Sequence, residues 1–456
     1  MQNRYSFFHK TDDEYLRFLI PEGSRIIELG CGNGRLLNAL NPSVGVGVDS
    51  SSEVVTMARN LYPNVAFIEG DVEDKQIILK LISYGPFDVV LIDNTLGYLK
   101  DIQKFFQDIQ GLLGYDTRIV SINHSHLWSP IVRGAGLLSR RRAVPRLTSL
   151  KMSDIENFMK LGNVEVVKRE WRIISPYKIF GVGQLLNRYF ATLPFIRKIC
   201  LRQYLVARST IVRPWQKPAS VSVIVPCRNE KGNVESAIRR LPQFPGEVQI
   251  IFVEGHSEDG TWEEIERVKN AYPHVSISKL RQIGDGKGDA VRTGFDAATG
   301  DLLIILDADL TVPPEELIKF YDALMSGRGE YINGSRLIYN MEPGAMQFLN
   351  QLANHFFAKV FTFILNQEFT DTLCGTKAIS RRNYENLKQN RDYFGDFDPF
   401  GDFDLIFGAA KLNLKFLEIP IRYVAREYGS TQISRFRHGI LLIRMVAFAY
   451  SKLKVV

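Results

Sequence analysis

Cysteine is scarce in this chain and never paired by spacing. Cys31, Cys200, Cys227 and Cys374 stand far apart, with no Cys-x-x-Cys among them. That argues against a zinc site or a disulfide framework and suits a reducing cytosol. Also missing is any uninterrupted apolar run long enough to span a bilayer, so no transmembrane helix is expected. Arg4 and Lys10 flank no continuous apolar stretch, which leaves no secretory signal pattern near the start. Neither an internal repeat nor a low-complexity segment occurs. What is present is globular: 456 residues, 45% apolar and 23% charged, enough for two or three domains. The net charge of +7 favours anionic partners, either phosphate-bearing substrates or an acidic membrane surface, without choosing between them. No nucleic-acid partner is expected.

In the first half, residues 25–29 form an apolar strand that runs into Glu28-Leu29-Gly30-Cys31-Gly32-Asn33-Gly34, and a helical pattern opens at Arg35. Glycine is needed where backbone must take positive φ or approach a ligand closely. The helix start that follows offers free amides and a partial positive charge. Strand 44–48 then ends in Asp49-Ser50, strand 65–68 in Gly70-Asp71-Val72, and strand 89–92 in Asp93. Each polar residue falls at the carboxyl end of its strand, where ligands sit in open α/β sheets. The glycine spacing is G-x-G-x-G, not the G-x-G-x-x-G of dinucleotide enzymes.

This set resembles the class I S-adenosylmethionine-dependent methyltransferases over residues 10–210. The resemblance implies a Rossmann-like α/β fold and S-adenosylmethionine as cofactor. It places Glu28, Gly30, Cys31, Gly32, Asn33 and Gly34 in the cofactor loop. Asp49 and Ser50 fall at the ribose, Asp71 and Val72 on the adenine side, and Asp93 beside the site. The methyl acceptor is not implied, because Asn94-Thr95-Leu96-Gly97-Tyr98 is not a Pro-Pro-Tyr-like signature of nucleobase-amine methylation. Cys31 reads as a small packed residue. His124 and His126, after a strand at 118–122, are candidates for a general base, with satisfied loop histidines as the alternative. Arg140, Arg141, Arg142 and Arg146 read as a solvated basic face or a phosphate-binding segment.

Residues 183–209 read as a helix followed by the last strand of the first sheet. Arg213-Pro214-Trp215-Gln216-Lys217-Pro218, with two prolines and no periodicity, reads as linker. The expected domains are therefore 1–210 and 218–456, joined by 211–217.

The second half alternates strands and helices again, which indicates a parallel α/β sheet. Strand 302–306 is apolar throughout and ends in Asp307-Ala308-Asp309. Two aspartates at that spacing on a turn can both approach one hard cation, with diphosphate oxygens and water completing its shell. Magnesium or manganese held so would neutralise a departing nucleoside diphosphate.

Around that triplet the chain resembles the family 2 glycosyltransferases of GT-A fold, particularly those acting on polyprenyl phosphates, over residues 218–456. The resemblance implies a nucleotide-sugar donor, UDP- or GDP-linked, held first by Pro226-Cys227-Arg228-Asn229-Glu230. The base and ribose would meet Glu254, Ser257 and Asp259, and the donor would lie along Lys287 and Asp289. Asp307, Ala308 and Asp309 complete that set, with Asp307 and Asp309 as metal ligands. Glu254 stands where the family usually has aspartate. Gly334-Ser335-Arg336 implies an arginine on acceptor phosphate, and Arg426-Glu427-Tyr428-Gly429-Ser430-Thr431-Gln432 a loop on the diphosphate, with Gln432 in place of the usual lysine. The catalytic acid aligns with Asp404, at the start of an expected helix over 405–411. Asp402, Asp396 and Asp398 are alternatives, and a helix cap would explain one of them without chemistry. A carboxylate there can remove the acceptor proton in an inverting transfer, or orient groups if the acceptor is already a phosphate anion.

The apolar segments at 348–365 and 440–450, flanked by basic residues, suit either a membrane interface or ordinary packing. The reading reached is a bifunctional enzyme, a methyltransferase fused to an inverting, metal-dependent glycosyltransferase. Its expected place is cytoplasmic, peripheral at the inner face of the plasma membrane where the acceptor is lipid-linked. The rivals are a glycosyltransferase with a non-catalytic first domain, and a non-catalytic membrane scaffold for glycan enzymes.

Overall fold

The computed structural model describes residues 2–128, 148–211, 215, 217–339, 348–394, 403–429 and 435–456. Arg140, Arg141, Arg142, Arg146, Asp396, Asp398, Asp402 and Ser430-Thr431-Gln432 lie outside these. The chain divides into two compact units, Met1–Arg213 with Lys454–Val456, and Pro214–Leu453. The sequence reading carries the second domain to residue 456. The last three residues instead belong to the first unit, where the buried Lys454 ammonium lies 2.9 Å from Glu170.

The first unit is built on β1 (Arg25–Leu29), β2 (Val44–Asp49), β3 (Ala66–Glu69), β4 (Phe87–Asp93), β5 (Leu113–His124), β6 (Val164–Arg172) and β7 (Arg202–Ser209). Their order across the sheet is β3-β2-β1-β4-β5-β7-β6, and β7 alone runs against the others. Ile27, Leu29, Val46, Val48, Val90 and Ile92 are buried in its core, packed with helix residues such as Leu81, Phe105 and Met159. Strands covered on both faces need such continuous apolar runs. The order reverses between β1 and β4, which opens a crevice at their carboxyl ends. The single helix expected before β7 is instead a broken series: a short helix Val182–Leu185, a π turn Leu186–Phe190 and a 3-10 turn Arg197–Ile199. Pro194 lacks the amide a continuous helix would need there.

The second unit holds β8 (Val221–Cys227), β9 (Val248–Glu254), β10 (Ser276–Arg281), β11 (Leu302–Ile305), β12 (Tyr331–Ser335), β13 (Lys377–Ser380) and β14 (Phe416–Pro420). The order is β10-β9-β8-β11-β13-β12-β14, with β13 alone reversed. All four residues of β11 are buried, between Val221, Val223 and Val225 of β8 and the helix carrying Phe320 and Leu324. The helix expected at 405–411 spans Phe403–Lys411. Among the described residues no helix is long and apolar enough to cross a membrane.

Candidate active sites

In the first unit the glycine turn closes on the end of β2. Gly30 has φ 80, and a Cβ there would stand 2.3 Å from the Thr95 hydroxyl oxygen, so only glycine fits. Asp49 accepts the Gly32 amide at 2.9 Å on one carboxylate oxygen and the Ser51 amide at 3.0 Å on the other. Each oxygen keeps a second lone pair. Glu28, at the end of β1, is 2% exposed, and its Oε2 has no hydrogen-bond partner. Burial first, then the charge of Asp93, pushes its carboxyl well above the usual range. An orphaned buried acceptor beside this turn is what an ammonium-bearing cofactor would satisfy. Asn33 and Ser50 are exposed at the rim, and Val72 is buried. Asp71 caps its own turn by accepting the Glu73 amide at 2.9 Å. Cys31 is buried and its thiol pushed up by desolvation, consistent with a packed residue.

Asp93 is not free. Arg202 of β7, itself 2% exposed, bridges Asp93 at 2.9 Å and Asp12 of the first helix at 2.7 Å, and Tyr204 donates to Asp12. Burial still raises the Asp93 carboxyl, with Arg202 opposing. His124 stacks on Phe8 with ring centroids 6.2 Å apart, and its amide is held by Asn94 at 3.1 Å. Desolvation and then Arg202 lower its imidazole to about 4. His126 lies in the next 3-10 turn with Nδ1 buried and unpartnered. Asp12 and Arg202 were missed from the sequence, being 190 residues apart with no shared motif.

In the second unit each acid of the Asp-Ala-Asp turn has its own base. Lys287, from the helix Gly286–Ala297, lies 2.6 Å from Asp307, and Arg426 lies 2.6 Å from Asp309. Burial alone would raise Asp307, but Lys287, Lys377 and Arg336 outweigh it and hold the carboxyl below its ordinary value. Asp309 also accepts the Thr311 amide at 3.2 Å and hydroxyl at 2.8 Å. Leu310 between them has φ 49, a left-handed conformation uncommon outside glycine. Arg426 reaches on to Glu230 at 3.3 Å. A Cβ on Gly375 would fall 2.0 Å from the Asp307 carboxylate and 2.2 Å from the Lys287 ammonium, so any larger residue before β13 must displace the ends of this pair.

Two loops beside this turn are sewn together. The Asn229 amide donates to Ser257 at 2.9 Å, and Asn229 accepts the Glu258 amide at 2.8 Å. Asp259 accepts the Lys231 amide at 3.1 Å. Glu254 is 1% exposed, accepts from the Ser257 amide, and meets Arg281 at 3.2 Å. Arg228 is exposed and Pro226 half-buried. Asp289 accepts the Gly284 amide at 2.9 Å and so braces the start of its helix.

Arg336 and Asp404 each have charged partners of their own. Arg336 makes a two-pronged pair with the fully buried Asp371, at 2.7 and 2.8 Å, and Asn354 donates to the same carboxylate at 2.8 Å. Asp404 is 8% exposed, 3.7 Å from both Arg292 and Arg391. Asp371, Gly375 and Lys377 were not anticipated. The run Asp371-Thr372-Leu373-Cys374-Gly375-Thr376-Lys377, a small-residue turn before a short strand, was the available signal.

A model of the methyltransferase domain matches residues 20–160, and a model of glycosyl transferase family 2 matches residues 222–387. Glycosyltransferase AglJ of Haloferax volcanii is 30% identical over 224 residues, covering 49% of this chain and 69% of that protein. The chain belongs to the family 2 glycosyltransferases. It carries a methyltransferase domain in the same polypeptide. The dolichol-phosphate mannosyltransferase of Pyrococcus furiosus is 36% identical over 217 residues, covering 47% of this chain and 59% of that protein. This glycosyltransferase thus spans between 59% and 69% of the length of these two relatives. Among solved structures, glucosyl-3-phosphoglycerate synthase from Mycobacterium tuberculosis, in complex with Mn2+, UDP and glucosyl-3-phosphoglycerate, aligns with a TM-score of 0.37 at 17% identity. That alignment covers 52% of this chain and 80% of that one.

Proposed function

We propose that the second unit transfers a sugar, with inversion, from a UDP- or GDP-linked donor to a polyprenyl-phosphate or glycan acceptor, and that the first unit transfers methyl groups from S-adenosylmethionine. The observation that carries the sugar-transfer reading is the pairing of Asp307 with Lys287 and of Asp309 with Arg426. Four groups from three segments meet at the end of β11, two able to bind a cation and two able to bind phosphate. Among the described residues no cluster of three acidic, histidine or cysteine side chains gathers. Two carboxylates fit a magnesium or manganese ion that takes its remaining oxygens from water and the donor diphosphate. Such an ion supplies charge neutralisation at the leaving group.

The chain's own residues then have distinct tasks. Lys287 and Arg426 exchange their carboxylate partners for diphosphate oxygens, a point charge and a fork respectively. The sewn loops at 226–230 and 254–261 enclose the nucleoside. Arg336, braced by Asp371, receives an acceptor phosphate, and Asp404 takes a proton from a hydroxyl acceptor or orients a phosphate one. In the first unit the unpartnered Glu28 oxygen fits the cofactor's ammonium, and Asp49 keeps acceptor capacity for a ribose diol. That cofactor supplies the electrophilic methyl group. A place at the inner membrane face follows if the acceptor is lipid-linked.

A second reading keeps only the sugar transfer active, because Asp93, the acid at the carboxyl end of β4, is already engaged by Arg202. Hydrolysis of a panel of nucleotide sugars with manganese, with and without chelator, tests the first activity. Calorimetry with S-adenosylmethionine tests the second. No binding at all would reduce the first unit to a docking module.

A further inference from the structure

Residues 177–199 expose far more apolar side chain than a packed segment should. Phe180 is wholly exposed and Phe195 is 93% exposed, while Ile179, Val182, Leu185 and Ile199 each show more than half their surface. Single exposed apolar residues are ordinary, but a concentration of them marks an interaction site.

The backbone holds these side chains out under strain. Ile179 and Phe180 adopt φ 40 and φ 52 ahead of Gly181 at φ 94. A β-branched residue in that region is a steric outlier, and such strain persists only where the surroundings over-determine it. Here they do. The buried Asn187 accepts the amides of Ile174 and Ser175, each at 2.9 Å, and donates to the Ser175 carbonyl at 2.8 Å. The Gly183 amide closes the turn on the Lys178 carbonyl at 3.0 Å, and the Trp128 indole donates to the Ile199 carbonyl at 2.9 Å. The apolar residues are therefore presented on a braced frame.

Charge selects the partner. Between Glu170 and Glu230 the sequence contains no acidic residue, while 177–199 carry Lys178, Arg188, Arg197 and Lys198. Lys178, Arg188 and Lys198 are exposed, and Arg197 lies over the Trp171 ring at 4.8 Å. Aromatic and aliphatic side chains interleaved with cations, and no anion among them, match a bilayer interface. Rings enter the acyl boundary while ammonium and guanidinium groups stay among headgroup phosphates.

We propose that residues 177–199 dock the first unit on an anionic membrane surface, with Phe180 and Phe195 entering the interface and the exposed Lys178, Arg188 and Lys198 meeting lipid phosphate. This goes beyond the transfer reactions and holds whether or not the sugar acceptor is itself a lipid.

The test is co-sedimentation of the full chain with vesicles of phosphatidylcholine mixed with phosphatidylglycerol, and with phosphatidylcholine alone. The vesicles contain no polyprenyl phosphate, so the acceptor site does not contribute. The wild type should bind the mixed vesicles and release with salt. The double variant Phe180→Ser/Phe195→Ser should lose about tenfold or more in partitioning. The triple variant Lys178→Ala/Arg188→Ala/Lys198→Ala should lose on the order of a hundredfold. Both should melt like the wild type, because the altered side chains are solvent-exposed. Three results would overturn the proposal: a wild type that stays in solution, variants that bind as tightly as the wild type, or a wild type whose self-association in vesicle-free solution is abolished by the double variant. The last would assign the segment to an interface between copies.

Discussion

The two sheets share a frame and differ in how they treat their acids. Both place their first strand centrally, run outward through the second and third on one side, and continue with the fourth on the other. Both therefore open a crevice between the first and fourth strands, and both carry a single reversed strand. In the first unit that strand, β7, is separated from β4 by β5. In the second, β13 lies directly beside β11 and delivers Gly375 against Asp307. The acids answer to different chemistries. Asp49 is held by two backbone amides and, among the described residues, by no side-chain cation. Asp307 and Asp309 are held by a lysine and an arginine, charges that would become available to a diphosphate if a cation took the carboxylates, as proposed above. The strand ends fix where ligands sit, and the loop residues facing the acids decide which ligands.

The sharpest way to break this comparison is at Asp309. Replacing it with asparagine removes the proposed metal ligand and leaves Arg426 with Glu230 as its acidic partner, so sugar turnover should fall on the order of a hundredfold or more. S-adenosylmethionine binding should not change. Full activity of Asp309→Asn in chelator, with a confirmed donor, would leave the acidic pair as an ordinary strand-end turn. Gly375→Ala should mimic the loss by pushing Asp307 and Lys287 apart, whereas an alanine tolerated there would show the crowding to be relieved elsewhere.

The next effect concerns the boundary between the units. Lys454 and Glu170 are both nearly inaccessible, and the Lys454 carbonyl also accepts from Arg172 at 2.7 Å. Burial alone would raise the Glu170 carboxyl, but Lys454 and Arg172 hold it low. Lys454→Met leaves that carboxylate buried beside one fewer cation and should destabilise the first unit by about 3 kcal/mol. Thermal melts of the full chain would show it. A chain of residues 217–453 should still fold and transfer sugar, since it keeps its entire sheet. If it does not, the units share more than a linker.

A smaller effect is expected at Asp49. Asp49→Ala should weaken S-adenosylmethionine by roughly 1.5–3 kcal/mol for each charge-assisted hydrogen bond lost. Calorimetry would read this directly. Sugar turnover unchanged in the same variant would keep the two sites energetically separate, and a parallel loss would couple them.

These residues also show what was legible beforehand. The glycine turn, the strand-end acids and the Asp-Ala-Asp triplet are local patterns, and the fold and both families could be read from them. Their partners were not local. Arg202 meets Asp12 and Asp93 across 190 and 109 residues, and Arg426 meets Asp309 across 117. No period or spacing encodes such pairs before the strands are ordered. Asp371 meets Arg336 across 35 residues, and its own segment carries no motif that marks it as the anion orienting that arginine. The continuous helix expected over the 183–199 stretch failed because its apolar residues face solvent, so burial did not impose a helical period.

The smallest effect lies in pH, at the charged site. Glu230 is raised to about 6, chiefly by burial, with Arg426 and Asn233 opposing. Its folded value lies above the unfolded one near 4.5, so between about pH 4.5 and 6 the folded chain holds more of the proton. Stability contributed by the protonated form is present below 4.5 and lost as pH rises through 6, about 1–2 kcal/mol in all. Glu230→Gln removes that titration. Its stability relative to wild type should therefore be more favourable at pH 7 than at pH 5, read from paired chemical denaturations. Equal offsets for Glu230→Gln at both pH values would mean that Arg426, 3.3 Å away, already holds Glu230 ionised throughout.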